Sequence, residues 1–138
     1  GSITRRPLKE PKYLYSKGLK KSHVLFGQKY IKPCDTVCVT EGTLDTMWLD
    51  QLGFPSVALL GMSMSNKQRD LLLTLPTKEI ILCLDNDEAG KIGKERAMKL
   101  LGNKTKVSYI NIPKEYKDVQ DIKSYDILNN VIKDKKYW

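Results

Sequence analysis

The chain has 138 residues, 41% of them hydrophobic and 29% charged, and a formal net charge of +8. That length suits one domain with its own core, and no apolar run approaches the ~18 residues of a membrane-spanning helix. Three cysteines (Cys34, Cys38, Cys83) and one histidine (His23) supply no two-pair zinc set. They read as reduced, structural thiols of an intracellular protein with no signal peptide. Gly1-Ser2 reads as a remnant of recombinant engineering, which implies a piece of something longer.

Residues 1–33 form a basic segment with Pro7, Pro11 and Pro33 and short extended pieces at Tyr13–Tyr15 and Val24–Phe26. Nine basic residues and only Glu10 fall in residues 1–32, so this arm accounts for the whole net charge; the remainder has fifteen charges of each sign. A basic arm beside a neutral body suits a polyanionic partner, although a solvated tail has the same composition. Thr36–Thr40 then reads as a strand. Thr43–Leu52 reads as a helix with Leu44, Met47, Trp48 and Leu52 on one face and Gly53 at its end. Ser56–Leu60 is a second strand. Ser65 and Gln68 form a capping-box pair that opens a helix with Leu71, Leu72 and Leu75, ending at Pro76. Glu79–Leu84 is nearly continuous in apolar residues, as expected of a strand buried on both faces. A helix over 88–101, a strand over 106–112 and an amphipathic helix over 121–133 follow. The order βαβαβαβα predicts an α/β fold: about four mainly parallel strands with helices on both faces.

Acidic residues follow the strands. Glu41 comes after the first, before Gly42. Asp85 and Asp87 come after the third, two apart, so an extended backbone sends both carboxylates to one side. Asp118 and Asp121 are expected to open the last helix and point back across the strand ends. Ligands of doubly wound sheets bind at the carboxyl ends of strands. Carboxylates gathered there repel each other unless cations lie among them, and hard oxygen donors suit Mg²⁺ or Mn²⁺. One or two such ions would serve phosphoryl or nucleotidyl transfer. Taken singly, Asp85, Asp87 and Asp118 are each better explained as helix N-caps; it is their joint position after separate strands that points to a metal site.

Val37–Gln68, Ile80–Leu101 and Lys117–Asp121 together resemble the TOPRIM domain, a Rossmann-like fold. The shared pattern is a Glu-Gly after the first strand, Gly-Phe before the second and Asp-x-Asp-x-Ala-Gly after the third. It covers about residues 35–125. Pro11–Gly27 resembles the segment that precedes TOPRIM in bacterial-type primases and phage primase–helicases, which makes residues 1–33 part of an RNA-polymerase domain and 34–138 the catalytic domain. The resemblance implies a general base or metal-proximal acid at Glu41 and a metal pair at Asp85 and Asp87, with a further metal acid at Asp118. Asp121 would replace a second acid of the last motif, where Gln120 stands. Gly42, Asp45, Gly61, Ser63 and Ser65 would support the site, and Lys12, Lys17, Lys20 and Lys21 would contact nucleotide phosphates or template. Asn86 stands where many primases have Gly, with little change expected.

The implied function is a fragment of a DNA primase, a nucleotidyltransferase that makes RNA primers on single-stranded DNA from ribonucleoside triphosphates. Its expected setting is the cytoplasm of a bacterium or phage-infected cell, beside a fused or separate replicative helicase and no membrane. Two alternatives share the sequence features. One is a TOPRIM-type metal-dependent nuclease using water as nucleophile; the other is a non-catalytic nucleic-acid-binding module whose acids are caps.

Overall fold

The computed structural model describes residues 2–138; Gly1 lies outside the described residues. The basic segment opens with a two-stranded antiparallel pair, β1 (Ile3–Arg5) and β2 (Tyr13–Tyr15). Five strands form the central sheet: β3 (Cys34–Thr40), β4 (Ser56–Ala58), β5 (Thr77–Leu82), β6 (Lys106–Tyr109) and β7 (Lys136–Tyr137). Their order is β4-β3-β5-β6-β7. The first four are parallel, and β7 closes the far edge antiparallel to β6. The four parallel strands match the sequence reading, whereas β7 is an addition: Lys136-Tyr137 is too short and polar to show a strand period.

Strand alternation divides the core. Val37, Val39, Ile80 and Leu82 face one side, where they pack with α2 (Asn66–Leu73) and α3 (Glu88–Leu101). Cys38, Ile81 and Cys83 face the other, where Leu49 of α1 (Thr43–Gln51) and Leu128 and Ile132 of α4 (Tyr125–Lys133) cover them. Helices therefore lie on both faces, and the two buried layers explain why β5 is apolar at consecutive positions.

Two expectations change here. The inner face of α1 is Thr43, Asp45, Thr46 and Leu49, while Met47 is exposed. Hydroxyl groups make this face: Thr46 pairs with Thr40 at 2.7 Å, and Ser56 Oγ donates to Thr46 O at 2.8 Å. Small polar side chains let α1 approach the sheet closely, while of the expected apolar face Trp48 and Leu52 pack at the edge of the core and only Met47 is exposed. The last helix starts at Tyr125, capped by Ser124, and not at Asp121. Asp118 and Asp121 belong instead to a separate 3₁₀ turn over Val119–Asp121, set apart because Val119 and Ile122 are both buried before the chain turns into α4. The strand expected over 56–60 ends at Ala58. Leu60 then adopts a left-handed backbone (φ 61°) that turns the chain away.

The later part of the basic segment packs against the sheet. Phe26 exchanges backbone hydrogen bonds with Ala58 at 3.0 and 3.1 Å, covering the outer edge of β4. Leu25 is buried in the core. Gln68 completes the predicted capping box with Ser65, and its buried amide also donates to Lys21 O, Val24 O and Leu59 O. One side chain thus fastens residues 21–24 to the carboxyl end of β4.

At the opposite pole, Glu79 of β5 is 4% exposed and accepts from Ser108 Oγ (2.6 Å), Lys135 (2.9 Å) and Lys106 (3.1 Å). Burial pushes its carboxyl up, but these three bonds together hold it below the ordinary value of 4.5. Its contribution to stability is therefore complete above that value and is lost as the pH falls through the lower folded one. Replacing Glu79 with Ala is expected to lower the unfolding free energy at neutral pH by about 3 kcal/mol, since it strands Lys135 against the sheet. Urea denaturation of the two proteins at pH 7 and pH 3 measures this; an equal loss at both would contradict it.

Candidate active site

The chain leaves β3 toward β4 on one side and returns to β5 on the other, so the carboxyl ends of β3 and β5 flank a topological switch point. Glu41 follows β3 and Asp85 follows β5 by three residues. The Asp85 amide donates to Glu41 Oε1 at 3.2 Å, joining the two sides. Asp45 enters from the first turn of α1, buried, with one carboxylate oxygen lacking any hydrogen-bond partner. Gly42 permits this, because a Cβ there would lie 2.9 Å from Asp45 Oδ2.

These groups behave electrostatically as one cluster. Burial, then the charge of Asp85, raises Glu41 from 4.5 to about 7. Burial, then Asp118 and Asp85, raises Asp45 from 3.8 to about 7. Burial, then Asp118 and Asp87, raises Asp85 to about 6, with Lys117 opposing. Like charges in a half-buried space cannot all ionise cheaply, and perturbed carboxyls of this kind concentrate at functional sites.

The remaining acids have partners of their own. Asp87 caps α3, accepting from Gly90 N at 2.7 Å. Asp118 caps the 3₁₀ turn through Asp121 N at 3.0 Å, and Asp121 Oδ2 accepts from Lys117 N at 3.0 Å. Asp87 and Asp118 are thus caps and members of the acidic cluster at once, while Asp85 caps nothing. Among the described residues, no three Asp, Glu, His or Cys side chains converge closely enough to share one ion as they stand. The donor set still fits a hard divalent cation. It is made of carboxylate oxygens, one is buried and unpartnered, and burial together with neighbouring carboxylates makes charge costly on Glu41, Asp45 and Asp85, a cost that a cation would relieve.

Asn86 positions the last acid motif. Its backbone amide donates to Lys117 O at 2.8 Å, and its side-chain nitrogen reaches Pro113 O and Tyr116 O, both at 3.4 Å. This latch brings the 113–118 loop to the end of β5; a glycine at 86 would keep only the backbone bond. On the other flank, Gly90 and Gly93 of α3 lie against Asp85 O and Met62 O, so closely that any Cβ would collide with those backbones. The exposed turn of Gly61 and Ser63 is held near α3 in this way. Ser65 caps α2 and donates to Ser22 O.

Lys12, Lys17, Lys20 and Lys21 are all exposed. Lys21 lies over the Tyr15 ring at 4.9 Å, and its backbone is tied to the β4 end through Gln68. The cation that acts on Asp85 is Lys117, which sequence reasoning did not single out as basic. The weight of Asp45 was also missed; its signal was a carboxylate four residues before Leu49, on a stripe that had to face the core.

Because Glu41, Asp45 and Asp85 hold protons more tightly when folded, the native chain binds more protons than the unfolded one between about pH 4 and 7, so stability falls as the pH rises through that window. Asp45→Asn is expected to flatten that fall and to stabilise the protein at pH 8 by on the order of 2 kcal/mol, reduced from the full linkage value because neighbours share the shift. Thermal unfolding in chelator at pH 5 and pH 8 tests both. Asn86→Gly is expected to speed amide exchange across residues 113–118 while leaving β5 protected; unchanged exchange would remove the latch from the account.

The profile of the Toprim-like family matches residues 38–123. The DNA primase of Thermotoga maritima is 33% identical over 121 residues, which cover 82% of this chain and 21% of that protein. The Aquifex aeolicus primase (zinc-binding and RNA-polymerase domains) superposes with a TM-score of 0.82 at 28% identity, over 99% of this chain and 37% of that one. The primase fragment of the bacteriophage T7 primase-helicase protein gives 0.65 at 26%, over 81% of this chain and 48% of that one. The chain spans between 17% and 61% of the length of the curated relatives it matches.

Proposed function

The chain belongs to the Toprim-like family, and from that membership we propose that it is the catalytic core fragment of a DNA primase, building RNA primers on single-stranded DNA. The observation that carries this reading is the cluster of Glu41, Asp45, Asp85 and Asp118 at the switch point between β3 and β5. The basic segment fastened to the same end of β4 supplies the charge that a template requires.

In the proposed reaction, a primer 3′-hydroxyl attacks the α-phosphorus of a ribonucleoside triphosphate. The new P–O bond forms as the bond to the β-phosphate oxygen breaks, and pyrophosphate leaves. Glu41, poised near neutrality, takes the hydroxyl proton. Asp85, Asp87 and Asp118, with Asp121 alongside, would hold Mg²⁺ or Mn²⁺. When bound, the ion supplies charge neutralisation for the triphosphate and for the oxygen that departs. Asp45 stiffens the shell from behind, and the Asn86 latch keeps Asp118 in reach of Asp85. Lys12, Lys17, Lys20 and Lys21 guide template and nucleotide from the arm side. A helicase, fused as in the phage protein or separate, would deliver the strand, and the setting would be the cytoplasm; no helix among the described residues is long and apolar enough to cross a membrane.

The test is equilibrium ATP binding with and without Mn²⁺, in the wild type and in Asp85→Asn/Asp87→Asn. Metal-dependent binding that the double change weakens at least about tenfold is expected, since each charge-assisted contact is worth roughly 1.5–3 kcal/mol. Mn²⁺ uptake with metal-dependent cutting of DNA or RNA, and no triphosphate binding, would give the site to a nuclease. Polynucleotide binding indifferent to both Mn²⁺ and the double change would leave a non-catalytic module.

A further inference from the structure

Two anchors hold the segment that carries Asp118 and Asp121. Its entry is tied to the β5 side by Asn86, through the carbonyls of Pro113, Tyr116 and Lys117. Its exit is tied to α1. The indole Nε1–H of Trp48 donates to Ile122 O at 3.1 Å, across 74 positions of sequence.

Trp48 follows Asp45 by one helical turn, so both reach from the same side of α1. The Gln120 amide faces the Asp45 carboxyl, where it works against the upward push of burial and of Asp118. α1 thus meets the backbone of the turn at two alternate residues, 120 and 122. The Trp48 ring is half-buried. It packs with the layer that holds Val119 and Ile122, and Lys123 lies over it at 5.0 Å. An indole at the edge of a core can donate to water; this one donates to the main chain just past the acids.

The anchor matters because the segment is under load. Asp118 raises the proton affinity of both Asp45 and Asp85, so it lies in the field of each and repels each when ionised. Its own hydrogen bond is local, to the Asp121 amide, and does not oppose movement of the turn as a whole. Asn86 restrains the chain before Asp118, and Trp48 restrains it after. Without the Trp48 bond, the turn can swing about the Asn86 latch and relax the repulsion by carrying Asp118 outward.

We infer that Trp48 is a positioning residue: its indole N–H limits how far Asp118 retreats from Asp45 and Asp85, and so limits the movement these acids need to close on a divalent cation. This rests on the reading of the acids as the metal site of a nucleotidyl transferase, and adds a residue that acts only through one of them. Restraint of this kind shows in affinity, since an ion then spends less of its binding energy on ordering the turn.

The experiment measures free Mn²⁺ by electron spin resonance in titrations of the full 138-residue chain. The proteins are wild type, Trp48→Phe, Asp118→Asn and the double variant. Phe keeps an aromatic ring and loses the N–H, and urea denaturation establishes that each protein is folded under the titration conditions. Trp48→Phe is expected to weaken Mn²⁺ binding roughly fivefold, the worth of one hydrogen bond. It is also expected to speed amide exchange at residues 119–122 while β3 and β5 stay protected. In the Asp118→Asn background the same change is expected to cost less than about twofold, because Trp48 acts through Asp118. A tryptophan that only fills space gives lower stability with Mn²⁺ affinity unchanged, or equal losses of affinity in both backgrounds; either result overturns the inference. If Asp118→Asn weakens Mn²⁺ binding and Trp48→Phe does not, the inference falls while the metal reading stands. If the two changes are coupled but the chain binds no triphosphate with its Mn²⁺, Trp48 stands as a positioning residue and the nucleotidyl-transfer reading falls. A wild type that binds no Mn²⁺ overturns both.

Discussion

The burial of mutually repelling carboxylates at the ends of β3 and β5 is the constraint around which this structure is arranged. The pairing of these two strands places Glu41 and Asp85 side by side, and an amide from the Asp85 backbone is what bridges them. Among the described residues no basic side chain forms an ion pair with Glu41 or Asp85; Lys117 acts from the flanking loop. The fold thus holds a local cost in place, which the Asp85 amide and Lys117 only partly offset. A site of this kind gains when a divalent cation enters, which is the physical link between an unfavourable patch and a catalytic one.

The rest of the chain supplies the stability that the patch lacks. Two apolar layers on either face of β5 carry the core. At the amino half of β5 a second buried acid, Glu79, is fully met by Ser108, Lys106 and Lys135. The same strand therefore carries a satisfied carboxylate at one pole and dissatisfied ones beyond the other. This contrast separates structural from functional charge more clearly than exposure does, since both kinds are at least half-buried. The contacts of Gly90 and Gly93 belong to the functional pole: they let α3 press against the Asp85 backbone and the Met62 turn, so the acids rest on closely packed main chain.

Much of this was legible in the residues. The two-layer burial of β5 showed in its unbroken apolar run, and the capping box of α2 showed in Ser65 and Gln68. The span of α3 matched its expected limits, Glu88 and Leu101. Other features were hidden for identifiable reasons. The inner face of α1 is built on hydroxyls, whose pairing is invisible to a hydrophobicity pattern. The turn carrying Asp118 and Asp121 looked like the first turn of α4 because the same residue types cap either. Asn86 read as a neutral replacement for Gly, yet its side chain reaches two carbonyls some thirty residues away.

Local pattern by itself determined the alternating order of strands and helices, the parallel sheet and the placing of acids just after strands, because each depends on period and on neighbours within a few residues. Tertiary structure alone decided which acids share a field and that Asp45 is the one left with an unpartnered oxygen. It alone decided that Gln68 secures the basic segment. Those outcomes depend on distances between residues far apart in the chain, and Coulomb energy and hydrogen-bond satisfaction are set by such distances and not by spacing in the sequence.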